Sequence, residues 1–317
     1  MTNLFILPTR LGDAMMTTGA IDKYKDEPCV IIVTPLTAPL FADLPHLEKL
    51  IVKGKHPWKK HWIDLWKETH NQHWNRIIDF RGSLLPFFLK AKEKHVWKQP
   101  SSRPHKVLQI SRCLKARSPL SPTLWFSEER LSRTKLDRPT LAVAPAAGWF
   151  GKQWPLDRFI TLLREFCQNN PDAQVAIFAA PNEKEFVAPL LHALPKNQCL
   201  NTIGGHLLDS AALIKSSRLF IGNDSGLMHL SAAVKTPTIA LFGPSNDQIY
   251  GPWSDQTPSP HRVLRAMPLP EKKIEQTPED THCYMENLSI DEVREVLNER
   301  WKNSEKKLDA GGCLTSD

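Results

Sequence analysis

The chain lacks any long apolar run, and no stretch approaches the roughly 18 residues that a membrane-spanning helix needs. It also lacks a CxxC pair. Its six cysteines, Cys29, Cys113, Cys167, Cys199, Cys283 and Cys313, are scattered. That excludes a disulfide framework and a zinc ribbon, and leaves them as reduced thiols packed like small apolar side chains. No G-x-G-x-x-G follows the first apolar segment, and no acidic residue takes the usual ribose position after the second, so a nicotinamide dinucleotide has little support. No segment repeats at a fixed period. The start, Met1-Thr-Asn-Leu-Phe-Ile-Leu-Pro, has neither a basic leader region nor a small-residue cleavage site. It reads as a first strand, and a cytoplasmic protein is expected.

What is present fits a soluble chain of two domains. There are 317 residues, 41% hydrophobic and 24% charged, enough for two buried cores of ordinary size. The net charge of +7 is unevenly spread: residues 1–137 carry 23 Lys and Arg against 13 Asp and Glu, the remainder 18 against 21. A basic first half points to an anionic partner, whether a phosphorylated substrate, a membrane surface or a nucleic acid, with an unevenly charged solvated surface as the plainer reading. The aromatic residues there form no recognised RNA or DNA motif, so no nucleic acid is expected.

Short apolar segments alternate with amphipathic ones. Strands are expected at Leu4–Leu7, Val30–Thr34, Leu50–Val52 and Arg76–Phe80, with helices from the Arg10-Leu-Gly-Asp turn to about Lys25, at Trp58–Asn71 and at Leu84–Lys92. A Pro- and Ser-rich stretch from Ser118 to Pro139 reads as a linker with one extended segment. Alternation then resumes with strands Thr140–Ala144, Gln174–Ala179, Arg218–Ile221 and Thr238–Phe242. Helices are expected at Leu156–Asn169, Glu183–Leu194, Asp209–Ser216 and Gly226–Val234. Such alternation makes βαβ units and a parallel sheet. The fold class is α/β, with domains at 1–137 and 138–265, a closing segment and helix at 266–302, and a disordered tail at 303–317. Ser289 with Glu292 three residues on is a capping box for that last helix.

Three segments could carry chemistry. In Ile221-Gly-Asn-Asp-Ser-Gly-Leu-Met-His a strand ends and a helix begins. Asp224 or Ser225 would cap the first turn, and Gly226 would leave the backbone amides open to an anion such as a diphosphate. A well-capped structural helix is the competing reading, and His229 could face core or ligand. The loop after Phe242 should emerge at the same sheet edge. In Ala144-Pro-Ala-Ala-Gly-Trp-Phe-Gly-Lys-Gln-Trp-Pro, Lys152 lies in a loop before a helix and could neutralise phosphate oxygens. In Pro8-Thr-Arg-Leu-Gly-Asp-Ala, Asp13 opens the first helix. It is either a favourable N-terminal charge or, facing a ligand, a base for an attacking hydroxyl. The four-residue spacing of Trp58, Trp62 and Trp66 reads as core packing, with membrane-interface contact as the alternative.

Together these segments resemble the heptosyltransferases of glycosyltransferase family 9. The likeness is carried by Arg10-Leu-Gly-Asp-Ala, Phe41-Ala-Asp-Leu-Pro, Ile78-Asp-Phe-Arg-Gly, Lys152-Gln-Trp-Pro, Asn223-Asp-Ser-Gly-Leu-Met-His-Leu, Ala240-Leu-Phe-Gly-Pro and His282-Cys-Tyr-Met, in that order. The resemblance implies a GT-B architecture, two facing Rossmann-like domains with a cleft between them, the last helix packing back toward the first. It implies inverting, metal-independent transfer, without a cofactor, from an ADP-activated heptose to the inner core of lipopolysaccharide. Asp13 would then be the general base and Lys152 would hold the donor phosphates. Asn223, Asp224, Ser225, Gly226 and His229 would line the donor, and Arg10 and Arg81 would meet the acceptor. An acidic residue after the fourth strand of the second domain would hold the ribose, with Glu183 the best match and Glu185 in reserve. The partners implied are a nucleotide-diphosphate sugar and an anionic, lipid-linked acceptor glycan, with peripheral contact at the inner membrane. Transfer of another nucleotide sugar, or nucleotide-sugar binding without catalysis, are the alternatives.

Overall fold

A computed structural model describes residues 1–54, 61–271, 274 and 281–311. The chain forms two compact units, Met1–Glu128 and Glu129–Asp317. The first is built on β1 (Asn3–Ile6), β2 (Cys29–Val33), β3 (Leu47–Val52), β4 (His73–Asp79) and β5 (Lys90–Val96). Its helices are α1 (Leu11–Asp22), α2 (His61–Thr69) and α3 (Lys106–Cys113). The sheet order is β3-β2-β1-β4-β5, parallel throughout. β1 and β2 are buried at every position, as expected of unbroken apolar runs inside a parallel sheet covered on both faces.

α4 (Glu128–Arg133) falls at the boundary, and its Arg130 and Arg133, in the second unit, both pair with Asp209. The second unit continues through β6 (Thr140–Ala144), α5 (Leu156–Asn169), β7 (Gln174–Ile177), α6 (Lys184–Ala193), β8 (Cys199–Asn201) and α7 (Leu207–Ser216). Then come β9 (Leu219–Asn223), α8 (Gly226–Ala233), β10 (Thr238–Phe242), α9 (Asp247–Tyr250), β11 (Arg262–Arg265) and α10 (Ile290–Gly311). The sheet order is β11-β10-β9-β6-β7-β8, again parallel. α10 packs on this unit's core through Val293, Leu297 and Trp301, the last edge-on to Phe166 at 4.8 Å. The Ser289 capping box forms, with Glu292 N–H bonded to Ser289 Oγ and Ser289 N–H to Glu292 Oε2.

Four expectations change. The segment Leu84–Lys92 is not a helix but a 3-10 turn at Leu85–Phe88 followed by edge strand β5. Lys, Ala and Glu favour helix in isolation, but Pro86 interrupts the start and the open edge of β4 supplies a ladder of backbone partners, so tertiary pairing overrides propensity. The stretch after Ser118 is ordered rather than a free linker. It lies along α1, with Thr123 N–H on Thr18 Oγ1 at 3.0 Å and Trp125 Nε1 on Asp22 at 3.0 Å. Gly19 allows this approach, since a Cβ there would stand 2.3 Å from the Leu120 and Ser121 carbonyl oxygens. α10 runs past Lys302 to Gly311, because no glycine or proline intervenes to stop it. Finally, Glu183 follows β7, the second strand of its unit in chain order, not the fourth. Trp58 and Cys313 lie outside the described residues.

Candidate active site

In an open parallel sheet the chain reverses its winding direction beside the first strand, and the loops there diverge to leave a crevice. In the second unit that place lies between β6 and β9, and the loops after these strands hold Lys152 and Asp224. Lys152 ends a 3-10 turn at Phe150–Lys152, and its Nζ sits 2.5 Å from Asp224 Oδ2. Asn223, wholly buried, ties the two loops together: its Nδ2 donates to the Pro145 carbonyl at 2.7 Å and its Oδ1 accepts from Trp154 N–H at 3.1 Å. The segment after Thr281 backs the same turn. Tyr284 N–H bonds the Gly151 carbonyl at 3.1 Å, and Trp154 Nε1 donates to the Leu288 carbonyl at 2.8 Å. This is the structural work of the His282-Cys-Tyr-Met motif.

The expected side-chain cap on α8 is not made. Ser225 is the N-cap residue with extended backbone, but no side-chain hydrogen bond caps the helix. Asp224 pairs with Lys152 instead. The Ser225 hydroxyl is buried with no hydrogen-bond partner among the described residues, at the head of a helix that Gly226 opens. His229 is buried on α8. The loop after β10 does emerge beside the Asp224 loop, as parallel pairing of β9 and β10 requires, and Arg265 pins it through Gly243 and Ser245 carbonyls and the Asp247 carboxylate. Glu183 is half-buried, its Oε2 accepting from Ala180 N–H at 2.7 Å. Glu185 is exposed on α6.

The first unit has the corresponding place between β1 and β4. Arg10 is exposed at the N-cap of α1, and Asp13 is half-buried in its first turn. Arg81 follows β4. Its Nε donates to the Leu7 carbonyl at 2.5 Å, linking the two loops, while its Nη2 is buried without a partner among the described residues. Burial pushes the Arg81 guanidinium below its ordinary pKa, against the pull of the Asp79 carboxylate. Asp79 is wholly buried and accepts from Arg81 N–H, Ser83 N–H and Ser83 Oγ, which folds the turn. Gly82 occupies φ +66°, a conformation that disfavours any side chain. Sequence reasoning did not single out Lys106. It opens α3, which packs on α1, and its Nζ lies 3.7 Å from the centre of the Trp97 ring. Burial lowers its pKa, opposed by the nearby Asp13 charge.

One unit thus offers a lysine and an uncapped helix N-terminus suited to phosphate. The other offers a carboxylate among cations suited to an anionic nucleophile-bearing molecule. The sequence profile of glycosyltransferase family 9 (heptosyltransferase) matches residues 118–277, just over half of the chain. The chain belongs to glycosyltransferase family 9. As a family member it is an enzyme, a glycosyltransferase. It is 28% identical to lipooligosaccharide heptosyltransferase 2 of Campylobacter jejuni subsp. jejuni serotype O:2, over 94% of this chain and 98% of that protein. Among solved structures it resembles the E. coli ADP-heptose lps heptosyltransferase II, at 23% identity and a TM-score of 0.73, covering 96% of this chain and 100% of that one. It also resembles a family 9 glycosyltransferase from Veillonella parvula, at 18% identity and a TM-score of 0.77, covering 95% and 97%. The fold is therefore GT-B, built of two Rossmann-like α/β units.

Proposed function

We propose that this glycosyltransferase moves a heptose from ADP-heptose onto an anionic, lipid-linked acceptor of the lipopolysaccharide or lipooligosaccharide inner core, with inversion and without a metal ion. The observation that carries this reading is the end-to-end likeness to a lipooligosaccharide heptosyltransferase 2. The solved relative whose name includes ADP-heptose supports the choice of donor.

In this reading Asp13 takes the proton from the acceptor hydroxyl as that oxygen bonds to the anomeric carbon. The bond from that carbon to the donor diphosphate breaks, and ADP leaves with the electron pair. Lys152 offsets the charge gathering on the diphosphate. Its ammonium pairs with Asp224, and in this reading the Asp224 carboxylate also accepts from sugar hydroxyls. The buried Ser225 hydroxyl gains in the donor the partner it lacks, and the amides at Gly226 face the phosphates. His229 lies on the same helix. Asn223 acts by holding the two loops in register. Glu183 takes the ribose hydroxyls with its remaining lone pairs, and Arg10 and Arg81 meet anionic groups of the acceptor.

The test is transfer from ADP-heptose to a purified inner-core acceptor, read by mass spectrometry, with the product's anomeric configuration fixed by NMR and a parallel reaction in chelator. Transfer that inverts the configuration and survives chelation supports the reading. Equal or faster transfer from UDP-linked sugars, or loss of turnover in chelator, overturns the corresponding part of it.

A further inference from the structure

The first unit holds a cavity that the proposed reaction does not use. Its volume is about 570 Å³, within the range of small-molecule sites. It lies just past the last turns of α1 and α3, against β4 and β5, and Lys23, Arg76, Lys94 and Lys115 bring their cations to it. α1 carries Asp13 in its first turn, and its 12 residues take the chain about 18 Å onward to Lys23. The cavity therefore stands at the other end of this helix from Asp13 and Arg10. α3 likewise begins at Lys106, near Asp13, and ends at the cavity.

The charges around this cavity do not balance. Glu27 accepts two bonds from Arg76 Nη1, at 3.0 and 2.7 Å, and the Arg76 guanidinium lies 4.6 Å from the centre of the Tyr24 ring. Glu93 stands 3.5 Å from Arg76 Nε and 3.6 Å from His95 Nε2. Both carboxylates are thus engaged by Arg76, and Lys23, Lys94 and Lys115 have no carboxylate partner among the described residues. Each lysine has a plainer reading on its own. Lys23 and Lys115 follow helix C-termini, where a cation offsets the dipole, and Lys94 guards the free edge of β5. Lys115 does not fit that reading. It is the left-handed residue of a Schellman turn, at φ +50°, its N–H on the Arg112 carbonyl and the Ala116 N–H on the Ser111 carbonyl. Glycine takes this conformation freely and a side chain costs energy there, while Arg112 already gives the last turn of α3 its cation. We infer that the cavity binds a small phosphate- or diphosphate-bearing anion, with the three lysines on its oxygens and His95 beside them. Lysine meets phosphate as a point charge, and Arg76, held by Glu27, forms one wall. The inference goes beyond the transferase reading and does not rest on the donor or on Asp13.

The experiment titrates inorganic pyrophosphate into the full chain by calorimetry, in about 0.15 M sodium chloride so that diffuse attraction is screened. Pyrophosphate also suits the candidate donor site, so the Lys152→Ala chain is titrated alongside the wild type, and both are expected to bind. Adding Lys94→Gln and Lys115→Gly to Lys152→Ala should weaken that binding about tenfold. The unfolding temperature should not fall, since glycine relaxes the left-handed turn. Inorganic phosphate and ribose 5-phosphate, titrated in the same way, show whether the free ion or an organic ester is the better occupant, and binding of either at the lysines supports the site. The inference is overturned if the Lys152→Ala chain binds no pyrophosphate, which would leave the donor crevice as the place where the wild type takes it up. It is equally overturned if the two added lysine changes leave the affinity as it was.

Discussion

The two sheets share the order third-second-first-fourth at their centres, and in each the loops after the first and fourth strands carry the candidate residues. The chemistry of those loops differs. In the second unit the charges are already matched, Lys152 lying against Asp224, and Asn223 fastens one loop to the other. In the first unit Arg81 keeps a buried nitrogen without a partner among the described residues, and the Lys106 charge lies near Asp13. One topology thus supplies two crevices, and the loop residues decide what each can bind. In the proposed reading this ion pair keeps Lys152 oriented for the donor diphosphate.

The comparison can be broken most directly at Asp13. Asp13→Ala should lower kcat/KM about 10³-fold with thermal unfolding and donor binding unchanged; near-normal turnover would remove the carboxylate from the reaction. Lys152→Ala should cost about 10²-fold in turnover and should also lower the unfolding temperature, because it leaves Asp224 without its counterion. Adding Asp224→Asn should recover the unfolding temperature but not the turnover. If the second change restores activity, Lys152 serves only to neutralise Asp224. Asn223→Ala strands the Pro145 carbonyl and the Trp154 N–H, and should cost about 2–4 kcal/mol in denaturant unfolding; a change within error would show that the loops hold themselves.

The smallest effect separates the units by pH. Burial pushes the His261 imidazole down from 6.5 to about 4, opposed by a hydrogen bond that the ring donates to the Trp253 backbone and reinforced by the Arg300 charge. The unfolded chain therefore binds a proton first, so this contribution is complete above about pH 6.5 and is lost as pH falls toward 4. In the first unit Glu27 is raised by burial, but the Asn3 amide, the Arg76 charge and the Asn75 amide outweigh that and hold it below 4.5. Its contribution is present above that value and is lost only as pH falls below it. Acid should loosen the second unit first, and His261→Gln should flatten the unfolding temperature between pH 6.5 and 4. A slope that persists in that variant assigns the effect to another group.

Much of this was legible in the residues. The apolar runs Val30–Thr34 and Thr140–Ala144 read as strands, and β2 and β6 are buried; Ser289 with Glu292 states its own capping box. The turns at Asp13, Lys152 and Asp224 were found because each follows an apolar run and carries small or polar residues where a helix begins. Less was legible at the surface of the first unit. Leu84–Lys92 has the composition of a helix, and its strand depends on the free edge of β4. The exposure of Phe87 and Phe88 follows from that strand, since it fixes which residues of the turn face the core.

The sequence by itself determined the alternation of strands and helices, the two buried cores and the order of the motifs, because these rest on local periodicity and on contacts within a few residues. The tertiary structure alone decided that Asp224 turns to Lys152 rather than capping α8, that Asn223 braces two loops, and that Lys106 stands near Asp13. Each of these joins residues tens of positions apart in the chain. Their energies depend on which strands lie side by side, and strand order is set by the packing of the whole sheet.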